Sequence, residues 1–252
     1  MSDGDATRNS SRDRIRLAAS FLTILPTVDD RARTPEDVAA SFGWFPLVGF
    51  AIGLALMVEN YFLAIAFGPA LRAVLIVMTL AILTGAVHLD GLADSADALG
   101  AGRNRERALE ILRDSRIGTF GACALFFILV LKVVAIARTG GSCAQLWLAP
   151  GLARWAMVAL ADRLDYLRPE GAGTTLLARD DRHDSFILAS IIAIVGALPI
   201  LGGGTLLAYF AAVLMTIGLG AFYRNWLGGL TGDLIGAAGE IVETAVLIAM
   251  SG

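Results

Sequence analysis

Asp90, Asp94 and Asp97 fall within eight residues of the stretch HLDGLADSADALG, directly behind an apolar run long enough to cross a membrane. On a helix, positions four and seven apart share one face, so the three carboxylates would converge. Carboxylates that close repel one another unless a proton or a cation lies between them. A second set of acids, Asp233, Glu240 and Glu243, interrupts an otherwise apolar stretch near the C-terminus. Acids at membrane depth cost ~2.5 kcal/mol or more and usually mark functional positions. All of these ligands are hard oxygens, which suit Mg2+, and no nucleophile–base pair accompanies them. Divalent ions bridge phosphates and align an in-line displacement, so the pattern points to phosphoryl-type transfer.

The elements that must position these acids are membrane helices. Of the 252 residues 56% are hydrophobic and 17% charged, against about 25% charged in a soluble chain. The net charge of −3 offers nothing to a nucleic acid. A spanning helix needs about 20 mostly apolar residues, and seven stretches approach this: 43–67, 70–89, 118–138, 142–161, 185–201, 205–223 and 229–250. The fifth is short, and the fifth and sixth together could form a re-entrant pair, which would leave six. The expected fold is therefore all-α, one polytopic membrane bundle over residues 1–252. Residues 13–25 read as a retained interfacial helix, because Pro26 ends the apolar run and TVDD is no small-residue cleavage site; residues 1–12 read as a disordered tail. Gly140-Gly141 and Gly202-Gly203-Gly204 mark turns between neighbouring spans. Cys123 and Cys143 lack metal spacing and suggest no disulfide framework.

The basic residues set the orientation. With the N-terminus in the cytoplasm, Arg8, Arg12, Arg14, Arg16, Arg31, Arg33, Arg103, Arg105, Arg107, Arg113, Arg116, Arg163, Arg168, Arg179, Arg182 and Arg224 all fall inside, sixteen of the twenty Lys and Arg residues. Asp90, Asp94 and Asp97 then stand at the cytoplasmic end of the second span, where the largest internal loop begins.

That loop continues AGRNRERALEILRDSRIGTFG, with an amphipathic surface helix over 104–114. Glu106 and Glu110 read as its salt-bridging residues, while Asp114 and Arg116 precede the third span and are candidate catalytic residues. His88, just ahead of the aspartates, is either a hydrogen-bonded structural residue or a further catalytic one. Spans three and seven both start with glycines at N-termini that point to the cytoplasm, where unpaired N–H groups and the helix dipole favour anions. Gly91, Gly118, Gly121, Gly229, Thr231 and Gly232 are accordingly candidate substrate contacts, unless the glycines only permit close packing. Arg154, inside span four, would snorkel or clamp a phosphate; Lys132 would snorkel outward; His183 reads as solvated, and Trp44, Trp147, Trp155 and Trp226 as interface anchors or packing. Asp233 would join Asp90, Asp94 and Asp97 at the ion from the opposite side, closing a cavity between spans two, three and seven. Glu240, about 10 Å deeper on the same face, completes the expected metal-site set by orienting the ligands. A cation or proton transporter is the competing class, but it should carry acids on both sides of the midplane; here they crowd the cytoplasmic half, with Glu59 the main exception.

The segments FLTILP, GWFPLVGFAIG, TGAVHLDGLADSADAL, ILRDSRIGTFG and GGLTGDLIGAAGEIVE occur in this order between Phe21 and Glu243, and together they resemble the cobalamin synthase (adenosylcobinamide-GDP ribazoletransferase) family. The resemblance implies an enzyme of the bacterial inner membrane that requires Mg2+. Its substrates would be adenosylcobinamide-GDP and α-ribazole or its 5′-phosphate, and its products adenosylcobalamin or its 5′-phosphate and GMP. A CDP-alcohol phosphotransferase would also use a carboxylate-rich helix with an Asp-Gly. Its signature needs an aspartate where Val87 stands and Ala-Arg where Ala93-Asp94 stands, so that match fails.

A cysteine placed at Asn104, in a background without the two native cysteines, should resist a membrane-impermeant thiol reagent in intact cells. Ready labelling would reverse the orientation and the placement of the acidic face.

Overall fold

Without water to satisfy it, a backbone in lipid must hydrogen-bond within its own segment, and the apolar stretches of this chain all become helices. The structure, a computed structural model, describes residues 10–26, 35–102, 104–114, 116–167 and 182–252. Arg8, Arg31, Arg33, Arg103, Arg168 and Arg179 of the charge count lie outside them. The helices are α1 (Ser11–Leu22), α2 (Pro35–Ser41), α3 (Phe45–Leu63), α4 (Pro69–Leu83), α5 (Val87–Leu99), α6 (Arg105–Ile111), α7 (Thr119–Thr139), α8 (Cys143–Arg163), α9 (Arg182–Ala197), α10 (Gly203–Trp226) and α11 (Gly232–Ala249). The only β-type pairing among the described residues is an isolated parallel bridge between Tyr166 and Leu230.

Helices occupy all seven expected stretches. By length and composition, four regions among the described residues could cross a membrane, Asp37–Leu63, Thr119–Thr139, Arg182–Ile200 and Gly203–Trp226, or five if a bent pair counts as one span. The fifth and sixth stretches are two helices, α9 and α10, each lying within a region long and apolar enough to cross by itself. α8 and α11 are absent from the four, and they are the helices at the centre of the bundle. α8 packs on α3, α9, α10 and α11, and α11 on α5, α7, α8 and α10. Other helices shield them from lipid, so they can carry the polar groups that lipid-facing helices cannot. α1 starts at Ser11, inside the expected tail, where Ser10 and Asp13 form a capping box. Its Leu17, Ala18 and Leu22 are buried against α2 and α3.

The second expected span is not one rod. α4 and α5 are bent by 91° to each other, and the break follows from a helix stop in the sequence Thr84-Gly85-Ala86. Gly85, at φ 61°, donates its N–H to Ile82 at 3.0 Å while the Ala86 N–H reaches back to Ala81 at 2.8 Å. These two bonds close a Schellman motif, which needs a left-handed residue that glycine supplies without strain. Ala86 is left-handed as well, at φ 55°, a strain of about 1–3 kcal/mol that the surrounding packing must hold. The chain then turns into α5, with Ala86 as its N-cap.

Close approach of backbones sets the other seams. Pro150 inside α8 cannot donate to the carbonyl of Leu146. A Cβ on Gly53 would stand 2.7 Å from that carbonyl oxygen, and one on Gly49 2.4 Å from the carbonyl oxygen of Pro150. The missing side chains let α3 lie directly on the irregular turn of α8, as small residues do between membrane helices. Two of the tryptophans tie helices together: Trp147 donates to the Gly196 carbonyl at 2.6 Å and Trp155 to the Ser190 hydroxyl at 3.1 Å.

Gly49→Ala should destabilise the bundle by about 1–3 kcal/mol through overpacking, read from its unfolding midpoint in detergent. Gly68→Ala, whose Cβ would meet nothing within 4 Å, should leave that midpoint unchanged. Equal effects of the two changes would contradict the α3–α8 seam.

Candidate active site

α5 reaches the bundle centre by crossing α11 at two glycines. A Cβ on Gly91 would meet the Asp233 carbonyl oxygen at 2.7 Å and its Cα at 3.0 Å, and a Cβ on Gly236 would meet the His88 Cα at 3.2 Å. The expected neighbourhood of Asp233 and the Asp90 helix is therefore present, and Gly91 serves it by packing. Asp90 is exposed beside this crossing, and Asp94 and Asp233 are partly exposed. Asp233 stands in the first turn of α11 and accepts a hydrogen bond from the Thr231 hydroxyl at 3.3 Å. Thr231 is the N-cap of that helix, accepting from the Leu234 N–H at 3.3 Å. Gly232 next to it is exposed. Gly229 lies against backbone instead, since its Cβ would stand 2.3 Å from the Asp165 carbonyl oxygen, which accepts from Leu230 N–H at 2.7 Å.

Asp97 is engaged by α7. Its carboxylate accepts from the N–H of Gly118 at 2.7 Å and of Gly121 at 2.9 Å. It thereby caps the N-terminus of α7, where unpaired N–H groups and the dipole attract a negative charge. A Cβ on either glycine would fall 2.4 Å from a carboxylate oxygen. Gly118 and Gly121, expected to receive a phosphate, thus receive a carboxylate from the chain itself. No three His, Cys, Asp or Glu side chains among the described residues stand close enough to hold an ion by themselves.

The deeper acids are paired with cations of other helices. Glu240 is 5% exposed and pairs with the Lys132 ammonium at 2.5 Å. The same ammonium meets Glu243 at 2.6 Å, and Glu243 also pairs with Arg154. Lys132 therefore points inward instead of snorkelling, and Arg154 sits in the interior instead of on an open face, both because an ion in an apolar core must be paired. With two positive and two negative groups the network cancels its own charge and joins α7, α8 and α11. The Arg154 Nε and Nη2 find no partner among the described residues. His88 is buried beside these charges. The network was legible in outline, since two cations and two anions within apolar stretches must meet; periodicity does not say which faces do.

On the loop ahead of α7, Arg116 Nη2 donates to the Asp114 carboxylate at 2.6 Å and Nε at 2.9 Å. These side-chain bonds, with a further one from the Arg116 N–H at 3.1 Å, lower the Asp114 carboxyl to about 2. A carboxylate held that low stays ionised at neutral pH and is a poor general base, which works best near the operating pH. His183 stands 3.6 Å from Asp162 with its ring largely in solvent. Cys123 and Cys143 are both free.

The sequence matches, over residues 14–251, the family described as cobalamin-5-phosphate synthase. It is similar to adenosylcobinamide-GDP ribazoletransferases. The protein of that name from Syntrophobacter fumaroxidans is 40% identical over 239 residues, 92% of this chain and 95% of its own. The one from Roseiflexus sp. is 38% identical over 235 residues, 93% and 87% of the two chains. The one from Escherichia coli is 35% identical over 237 residues, 92% and 96%. No solved structure matches the chain.

Lys132→Met should destabilise the bundle by about 3–5 kcal/mol, because two buried glutamates would then share one cation. Adding Glu240→Gln should restore the charge balance and recover part of that loss in detergent unfolding. A Lys132→Met protein as stable as the wild type would refute the network.

Proposed function

The chain belongs to the cobalamin-5-phosphate synthase family, and from that premise we propose that it is an adenosylcobinamide-GDP ribazoletransferase. A hydroxyl of α-ribazole, or of its 5′-phosphate, attacks the phosphorus that carries cobinamide; the bond to the GMP portion breaks and GMP leaves. The observation that carries this reading is the α5–α11 crossing, which brings the Asp90–Asp94 helix against Asp233 at an open face of an otherwise apolar bundle.

The donor set suits Mg2+. Asp90, Asp94 and Asp233 offer only carboxylate oxygens, and Mg2+ is commonly bound by one or two carboxylates together with substrate phosphates rather than by a full protein cage. The absence of a three-residue cluster among the described residues is in keeping with an ion that arrives with the pyrophosphate. Bound there, Mg2+ would neutralise charge on the diphosphate. Asp97 holds the start of α7 and so fixes the floor of the site. His88 and Gly236 set the height at which α5 crosses α11. Glu240, paired with Lys132, fixes the depth of α11 and with it the position of Asp233. The exposed Gly232 leaves the α11 N-terminus approachable by a phosphate, and Arg116, largely in solvent beside Asp114, would meet an anionic substrate. In this orientation the face is cytoplasmic and the membrane is the bacterial inner membrane.

Purified protein in detergent should release GMP from adenosylcobinamide-GDP and α-ribazole only when Mg2+ is added. Asp94→Asn should lower turnover at least about tenfold, more than ~1.4 kcal/mol of transition-state stabilisation. Asp233→Asn should abolish GMP release while the protein remains folded. Wild-type protein that releases no GMP but moves cations across proteoliposomes would instead establish the transporter reading.

A further inference from the structure

A second feature lies along α8. A groove of about 370 Å³ runs between α8, α9 and α10. Its wall on α10 extends from Val213 to Arg224, about 16 Å at 1.5 Å per residue, close to half of an approximately 30 Å hydrocarbon core. Trp155, Leu160, Phe186 and Ile217 line its length. The one polar handle of Trp155 is satisfied inside the bundle by Ser190, and the Thr216 hydroxyl by the Ala212 carbonyl, so the groove is apolar below its mouth.

The mouth is basic. Arg163 ends α8 and Arg224 lies in the last turn of α10, and the two meet where Arg224 Nη2 approaches the Arg163 carbonyl at 3.4 Å. The Arg163 guanidinium lies 5.8 Å over the Phe186 ring. Neither arginine has a carboxylate partner among the described residues: nearby Asp162 faces His183 and Asp165 faces Arg182. The groove opens between helices whose outer faces are apolar and uncovered, with Ile187, Ile191 and Ile194 on α9 and Phe210 and Leu214 on α10 all exposed. An occupant must therefore enter from the bilayer, present a hydrocarbon chain to the groove and carry negative charge at the level of the two guanidiniums.

We propose that this groove is a binding site for one anionic glycerophospholipid, its acyl chain between α8 and α10 and its phosphate on Arg163 and Arg224. Basic pockets between membrane helices select anionic headgroups in this way. Its lining includes none of Asp90, Asp94 and Asp233, and the proposal stands whether or not the ribazoletransferase reading does.

The test uses the full chain, stripped of lipid in neutral detergent and followed by native mass spectrometry. Dioleoyl phosphatidylglycerol, dioleoyl phosphatidylcholine or inorganic phosphate is added. One phosphatidylglycerol should be retained per protein, with about a thirtyfold preference over phosphatidylcholine for two arginines at about 1 kcal/mol each at the headgroup level. Arg163→Gln combined with Arg224→Gln should erase that preference; both side chains are exposed, so folding is not at stake. Ala221→Trp, which fills the groove, should remove retention of either lipid although the arginines remain. Three results would overturn the proposal: a preference that survives loss of both arginines, lipid retention unchanged in Ala221→Trp, or displacement of the lipid by inorganic phosphate.

Discussion

The fold depends on charges that cannot be left alone in a low-dielectric interior. Lys132, Arg154, Glu240 and Glu243 come from three different helices, and each would be prohibitively placed without the others. Their mutual neutralisation fixes the axial positions of α7, α8 and α11 relative to one another. An apolar contact between helices tolerates sliding; a lysine held between two glutamates at 2.5 and 2.6 Å does not. Because Asp233 is on the same helix as Glu240, the depth of the open face is set from below by this network.

The second constraint is the stop at Gly85. Had α4 continued through residue 89, the aspartates would have projected from the end of a straight rod. The Schellman closure and the left-handed Ala86 turn α5 by 91°, lay it across α11 and bring Gly91 onto the Asp233 backbone. The strain at Ala86 is offset by that crossing, where His88 and Gly236 also meet. Close approach through glycine recurs at the α3–α8 seam, where Pro150 leaves a carbonyl of α8 without its helical partner. In a membrane, where hydrophobic burial does not drive helix association, such contacts carry much of the specificity.

The acids of α5, of α11 and of the loop ahead of α7 thus divide into three kinds by surroundings rather than by type. Asp90, Asp94 and Asp233 stand at the accessible rim. Asp97 and Asp114 are committed to the chain itself, one to the N–H groups of α7 and the other to Arg116. Glu240 and Glu243 are internal counter-ions. Part of the charge on these elements thus organises the helices that present the rest.

Sequence alone determined the all-α membrane class and the family. Hydrophobic length fixed where helices form, Gly140-Gly141 marked a turn, the basic residues suggested the inner face, and the order of the motifs led to the family. These properties are local, or additive along the chain, and a linear reading recovers them. Pairings between distant segments were out of its reach. Periodicity puts Asp90, Asp94 and Asp97 on one side of a helix, but it does not reveal that the N-terminus of α7 approaches and claims Asp97. Nor does hydropathy distinguish a lysine that snorkels from one that turns inward, because the choice depends on whether Glu240 and Glu243 of another helix stand opposite. The Thr84-Gly85-Ala86 stop was visible but outweighed by the apolar run around it. Which charges meet, and which remain at the open face, only the packing of α5, α7, α8 and α11 decided, since electrostatic partners are chosen by distance in space and not along the chain.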